Sequence, residues 1–363
     1  MNFPQQFSRL ASRAAIRKVT LALFLVVLRA SATLAQTTAY VTNALDNTVS
    51  VIDTNTNTVT ATIPVGSFPV GIAITPNGTR AYVANSAPYV SVIDTATNTV
   101  VATVRIGQSL LGVAVTPNGD FVYVSHGNIT GNVSVIDTKK NTVVTTIPVG
   151  LQPFGIAITP NGSRAYVADT SSRNVWVIDT KTNTVIAAVP VGGSPQSVAV
   201  TPDGGFAYVP NGINVSVIDT GTNTITAIVS VGPAPFAIAI TPDGASAYVA
   251  NQIENTVAVL ATASNTVVTT VPAGFYPFGV AVNPNGDSVY VTNFNSHLVL
   301  VISTATNTVT ASVRVGAGPY SIAVTPQVPI DMDQCKNDGW KTFTNPAFRN
   351  QGDCVSFVNR IHQ

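Results

Sequence analysis

Few side chains in this 363-residue chain could do chemistry, and they are unevenly placed. Glu254, His297 and Asp46 fall in corresponding loops of the sixth, seventh and first of seven repeats, so closing the repeats into a ring would make their segments neighbours. A histidine with two carboxylates can ligate a divalent cation or move protons between reacting groups. The alternative is that all three are solvated loop residues. His126, Asp169 and Arg173 form a second group, on the third and fourth repeats. The chain has no Gly-Lys-Ser/Thr phosphate loop, no Gly-x-Ser-x-Gly elbow and no His-Glu-x-x-His helix.

What must position these residues is a repeat. The tetrad Tyr-Val-X-Asn begins at Tyr40, Tyr82, Tyr123, Tyr166, Tyr208, Tyr248 and Tyr290, a spacing of about 40 residues that is typical of propeller blades. Each unit divides into four short strands. The Tyr-Val segment is one, and Val-Ser-Val-Ile-Asp-Thr (49–54) is the next. A third follows an Asn-Thr turn (58–63), and Ile-Ala-Ile-Thr-Pro (72–76) is the fourth. Pro76-Asn77-Gly78 and Pro202-Asp203-Gly204 turn the chain back, because proline cannot extend a ladder and glycine accepts positive φ. The expected fold is all-β, a seven-bladed β-propeller of four-stranded blades.

Closure follows from the order of the strands. The first repeat starts with its Tyr-Val strand and lacks an innermost strand, whereas Ile322–Pro326 is an innermost strand with nothing after it. Residues 320–325 are therefore expected to complete the first blade and leave no half-built sheet. The channel mouth should then carry one residue per blade, namely Val70, Leu111, Phe154, Gln196, Phe236, Phe278 and Tyr320, with Phe68 and Tyr276 on the preceding loops. An aromatic mouth of this kind suits a peptide, glycan or apolar ligand, or simply plugs the channel. Phe68, Phe154, Gln196, Phe236, Tyr276, Phe278 and Tyr320 are the candidate binding residues.

The repeat resembles the YVTN-family β-propeller repeat, on Tyr40-Val41-Thr42-Asn43, Val51-Ile52-Asp53-Thr54, Val65-Gly66 and Ile72-Ala73-Ile74-Thr75-Pro76. The resemblance spans about residues 37–326 and implies the propeller fold. This and neighbouring propeller families include surface-layer proteins, nucleic-acid or peptide binders, lactonases and lyases. Here His126 and Asp169 replace the tetrad Asn, and Ala261 and Ser303 replace the repeated Asp. The Asp residues at 53, 94, 137, 179 and 219 are expected to fix turns by accepting backbone N–H groups.

Two segments flank the repeats. Arg9, Arg13, Arg17 and Lys18 precede the apolar run 19–28, and small residues ending at Ala35 follow. That order reads as a signal peptide over 1–35, hence an exported protein that is periplasmic, cell-surface or extracellular, with no transmembrane segment in the mature chain. Five of the 17 basic residues and none of the 16 acidic ones lie in that leader, which leaves 12 against 16, a net −4. Such a surface offers no general footprint for nucleic acid. After the propeller at 36–326, residues 327–363 hold both cysteines, Cys335 and Cys354, which are expected to form a disulfide in a stapled tail. This tail resembles a short C-terminal motif of exported bacterial proteins. The expectation is a binding or structural propeller for a peptide, glycan or surface component, not an enzyme, with no cofactor. The alternatives are a metal-dependent lyase or lactonase-like hydrolase using a divalent metal, and a nucleic-acid binder.

Overall fold

The computed structural model describes residues 37–128, 130–328, 332, 335, 336 and 350–361. The leader at 1–35 and most of the tail, including Trp340, Phe343 and Phe348, lie outside the described residues. Seven separate four-stranded antiparallel sheets form the blades of a propeller. The first is closed as the strand count requires. Its innermost strand, Pro319–Val324, pairs with Thr38–Asn43 through Ala39↔Val324, Tyr40↔Ala323 and Val41↔Ile322, and Thr48–Asp53 and Thr58–Pro64 complete the sheet. No described helix is long and apolar enough to cross a membrane.

The repeat builds its own joints. All seven tetrad tyrosines are at most 1% exposed, each ring wedged between neighbouring blades. A buried phenol needs a hydrogen-bond partner, and it finds one in the next blade. Tyr40 donates to Asn98 Oδ1 (2.7 Å), Tyr82 to Asn141 (3.1 Å), Tyr166 to Asn223 (2.8 Å), Tyr208 to Asn265 (2.7 Å) and Tyr248 to Asn307 (2.7 Å). Those asparagines sit in turns at φ between 52° and 56°, a conformation that asparagine tolerates and most L residues avoid. At the seam the latch is looser. Tyr290 reaches the Thr54 carbonyl at 3.4 Å, and Asn57 Oδ1 stays buried without a partner.

The outer edges are blunted by a bulge at the same place in every blade, between Val51 and Ile52 in the first and Val92 and Ile93 in the second. The repeated aspartates do hold turns. Asp53 accepts the Asn55 N–H at 2.8 Å, Asp137 the Lys139 N–H at 2.9 Å and Asp219 the Thr222 N–H at 2.9 Å. The disulfide Cys335–Cys354 also forms, with Val358 and Val355 packed on it, and it leads into the tail helix Gln351–Ile361.

Candidate functional site

At the channel the blades approach closely, and the position after each mouth residue is small, Gly in four blades and Ser or Ala in the other three. A Cβ on Gly71 would collide with the Leu111 carbonyl oxygen of the next blade, and one on Gly112 with that of Phe154. Hydroxyls at the third tetrad position tie this crowded wall together. Ser125 Oγ takes the Gly112 N–H at 2.8 Å and donates to the Phe154 carbonyl. Thr292 Oγ1 takes the Gly279 N–H at 2.7 Å and donates to the Tyr320 carbonyl at 2.9 Å.

Blade five departs from this pattern. Its innermost strand is only Ala199–Val200, plus a lone bridge between Pro195 and Asn211. Pro210 stands beside this gap in the neighbouring strand Phe206–Asn211. At Thr38, both N–H and C=O face the innermost strand, the N–H donating to Thr325 Oγ1 and the C=O accepting the Thr325 N–H. The period of two carries that orientation through Tyr40 to Thr42, whose counterpart in blade five is Pro210, which has no N–H to give. Residues 196–198 are released from the ladder, and among them is Gln196, the one amide of the mouth. Thr170 donates to the Pro195 carbonyl at 2.9 Å and lies 3.5 Å from Gln196 Oε1.

Most of the aromatic candidates converge. Phe278 is the hub, with ring centroids 4.6 Å from Phe236, 4.6 Å from Tyr320 and 5.4 Å from Tyr276, and Phe154 joins through Phe236 at 5.5 Å. Phe294, which the sequence reading passed over, packs on Phe278 at 5.3 Å. The signal was present, since the residue after the tetrad is small or polar in every other blade and Phe only here. Phe68 is 39% exposed and has no ring partner among the described residues. Phe68 and Tyr276 both occupy positive φ, held by side-chain acceptors: Asn47 Oδ1 takes the Phe68 N–H and Asn255 Oδ1 the Tyr276 N–H, each at 2.8 Å. Bulky residues in that conformation cost stability that the surrounding structure must supply.

Beside this cluster lies a cavity of about 150 Å³, walled by Val70, Leu111, Phe154, Gln196, Phe236 and Tyr320. A cavity of about this volume accepts one six-membered ring. Burial, reinforced by Tyr276, pushes the Tyr320 hydroxyl well above the ordinary tyrosine value, so it is a donor at any physiological pH.

The ionisable candidates do not form one site. Asp46 and His297 are joined through the loop before Pro319, where Asp46 Oδ2 accepts the Ala317 N–H at 2.6 Å and His297 Nδ1 accepts the Gly318 N–H at 3.1 Å. Glu254 stands against Gly232, on another loop. The donor set therefore does not suit a divalent cation, because the one imidazole lone pair of His297 is committed to a backbone N–H and Glu254 stands on another loop. Among the described residues no group of three or more His, Cys, Asp or Glu converges. His126 and Asp169 serve the tetrad position instead. His126 Nε2 meets Ser134 Oγ at 2.9 Å, and burial pushes this imidazole below its usual value. Asp169 is buried, which favours its neutral acid. The N–H groups of Ser172, Gln152 and Leu151 together outweigh that burial and hold the carboxyl below the usual range. Its Oδ2 also accepts from Trp176 Nε1 at 3.1 Å.

Fold and site together define a seven-bladed β-propeller with an aromatic, partly open channel mouth. The family model described as "Lactonase, 7-bladed beta-propeller" matches residues 185–315, from the outer edge of blade four through blade seven. This match overturns the expectation that the chain is not an enzyme. That expectation rested on the absence of local catalytic motifs, whereas a propeller mouth is assembled from about one side chain per blade, far apart in sequence. No curated protein matches the chain. Among solved structures, the chain is similar to Kuenenia stuttgartiensis hydrazine synthase (TM-score 0.62, 25% identity, 70% of this chain and 88% of that one). It is also similar to a functionally unknown protein from Desulfotomaculum acetoxidans (TM-score 0.71, 23% identity, 79% and 98%). Dihydro-heme d1 dehydrogenase NirN shares the fold (TM-score 0.61, 16% identity, 79% and 74%).

Proposed function

We propose that the protein is a lactonase-like hydrolase that opens a small cyclic ester at the channel mouth. The observation that carries this reading is the lactonase family match over residues 185–315. The mouth supplies compatible chemistry. The ring carbons of a lactone rest against Phe154 and Phe236, and the ester carbonyl accepts from the Gln196 amide and the Tyr320 hydroxyl. Two neutral donors lining this cavity favour the oxyanion that forms when water adds to the acyl carbon. The acyl C–O bond then breaks, the ring oxygen takes the proton that water gives up, and a hydroxy acid leaves. Export of the chain is part of the proposal, supported by the basic-then-apolar leader and by a disulfide, which persists in oxidising compartments.

The test is pH-stat titration of the purified chain with five- and six-membered lactones. Hydrolysis above the buffer rate is expected. Removal of one oxyanion donor, by Gln196→Leu or Tyr320→Phe, should lower kcat by about 10²-fold or more, with the fold retained by circular dichroism. If no lactone is opened by the intact chain, the reading is wrong. If lactones are opened equally well by both variants, the chemistry lies away from the mouth.

A further inference from the structure

On the opposite face, where the innermost strand turns back into the Tyr-Val strand, a cavity of about 240 Å³ lies in the crevice between blades five and six. Blade five contributes Asp203, Phe206 and Tyr208, and blade six contributes Asp243 and Thr262. The preceding crevice, between blades four and five, shows what such a space can hold. There Arg164, the counterpart of Phe206, extends its guanidinium across the gap, donating to the Thr220 carbonyl and meeting the Tyr166 hydroxyl. Thr262 and Tyr208 are the counterparts of Thr220 and Tyr166. Even the phenol geometry repeats, with the hydroxyl 3.3 Å from the threonine carbonyl in both crevices.

Blade five thus keeps the acceptors of a guanidinium site and lacks the guanidinium. Its carboxylates are also rearranged, with Ala261 where Asp219 flanks the preceding crevice and a second turn Asp in its place. The turn residue is Asn at 77, 118, 161 and 285 but Asp at 203 and 243, so this crevice is the one flanked by such an Asp on both walls. Both carboxyls are held below the usual range, first by the hydroxyls of Thr201 and Thr241 and then by turn N–H groups, so both are ionised at neutral pH. Neither Asp203 nor Asp243 takes part in the ion pairs Arg80–Asp94 and Lys139–Asp120. Phe206 is 37% exposed and presents an aromatic ring, a surface that attracts planar cations.

We infer that the crevice between blades five and six binds an alkylguanidinium group supplied from outside the chain, between Asp203, Asp243 and Phe206. The guanidinium donates to the Thr262 carbonyl and to the carboxylates, as the chain's own Arg164 does to Thr220 one blade earlier. The site lies at the far end of the channel from the aromatic mouth and does not depend on the hydrolase reading.

The experiment is calorimetric titration of the full chain with butylguanidinium at low ionic strength, where exposed charges are least screened. Saturable binding is expected. Asp243→Asn should weaken it about threefold or more, consistent with loss of one partly exposed charge contact. Phe206→Arg, which installs the blade-four residue, should abolish it by filling the crevice from within. Asp287→Asn, which removes a carboxylate from the same face outside the crevice, should leave affinity unchanged. Acetyl-Gly-Arg-Gly-amide is titrated alongside. Tighter binding of the peptide assigns the site to arginine side chains of proteins, and tighter binding of butylguanidinium assigns it to small free guanidinium compounds. Absence of saturable binding to either probe, or affinity unchanged in Phe206→Arg, overturns the inference.

Discussion

Replacing a latch tyrosine by phenylalanine should reveal how the ring is held shut. Tyr208→Phe removes a 2.7 Å hydrogen bond to Asn265 Oδ1 and strands that oxygen between blades five and six. Removing one partner so that an acceptor is left unpaired between blades costs about 1–3 kcal/mol, so the change should cost about 2 kcal/mol. Tyr290→Phe differs. Its hydroxyl makes only the 3.4 Å contact with the Thr54 carbonyl, and Asn57 Oδ1 is already without a partner in the parent, so the cost should stay under about 1 kcal/mol. Urea unfolding followed by circular dichroism reads both, through a shift in midpoint at constant slope. Thermal melts should agree, at roughly 2–4 °C per kcal/mol for a domain of this order of size. Equal losses for the two variants would refute the claim that the seam joint is the weak one.

Three further outcomes are expected. Asp169→Asn should destabilise blade four by about 2 kcal/mol, because an amide facing Trp176 Nε1 and the Leu151 and Gln152 N–H groups offers one acceptor oxygen where the carboxylate offers two. Adding Trp176→Ser, which recreates the Asn–Ser pair of blades one, two and five, should recover much of that loss in the same unfolding assay. In alkali, burial pushes the Tyr40, Tyr82, Tyr123 and Tyr290 hydroxyls from 10.0 up to about 12. The folded state therefore holds its phenolic protons longer than the unfolded chain, and stability should be flat below pH 10 and fall as pH rises toward 12, with tyrosinate absorbance appearing only on unfolding. Reduction of Cys335–Cys354, which closes a loop of separation 19, should remove about 3 kcal/mol from the tail. Hydrogen exchange should then accelerate in Gln351–Ile361 while the blades stay protected.

The propeller was legible because each of its devices is local and repeated. Tyrosine spacing gave the blade count, Pro-Asn-Gly and the repeated Asp gave the turns, and a first repeat without an innermost strand, matched by a last innermost strand with nothing after it, required residues 320–325 to complete the first blade. The mouth ring was legible for the same reason, because equivalent positions in a repeat must share one circle. Asp46, His297 and Glu254 were also grouped by that logic, which locates blades but does not orient loop side chains. The structure turns the first two onto backbone N–H groups and leaves Glu254 on its own loop.

Composition and period alone fixed the class of fold, the number of blades and the inward-facing set, since backbone hydrogen bonding and alternate burial leave a repeat of this length little choice. Contacts between positions far apart in sequence decided the rest. Asp169 is buried and ionised because the N–H groups of Ser172, Gln152 and Leu151 converge on it. Gln196 lies outside the ladder of blade five, where Thr170 and the Gly155 N–H of blade four meet it. The crevice between blades five and six is open because Phe206 stands where Arg164 would have filled it. Each of these residues is visible in the sequence as a departure from the repeat, but what it does depends on the partner that folding brings opposite it.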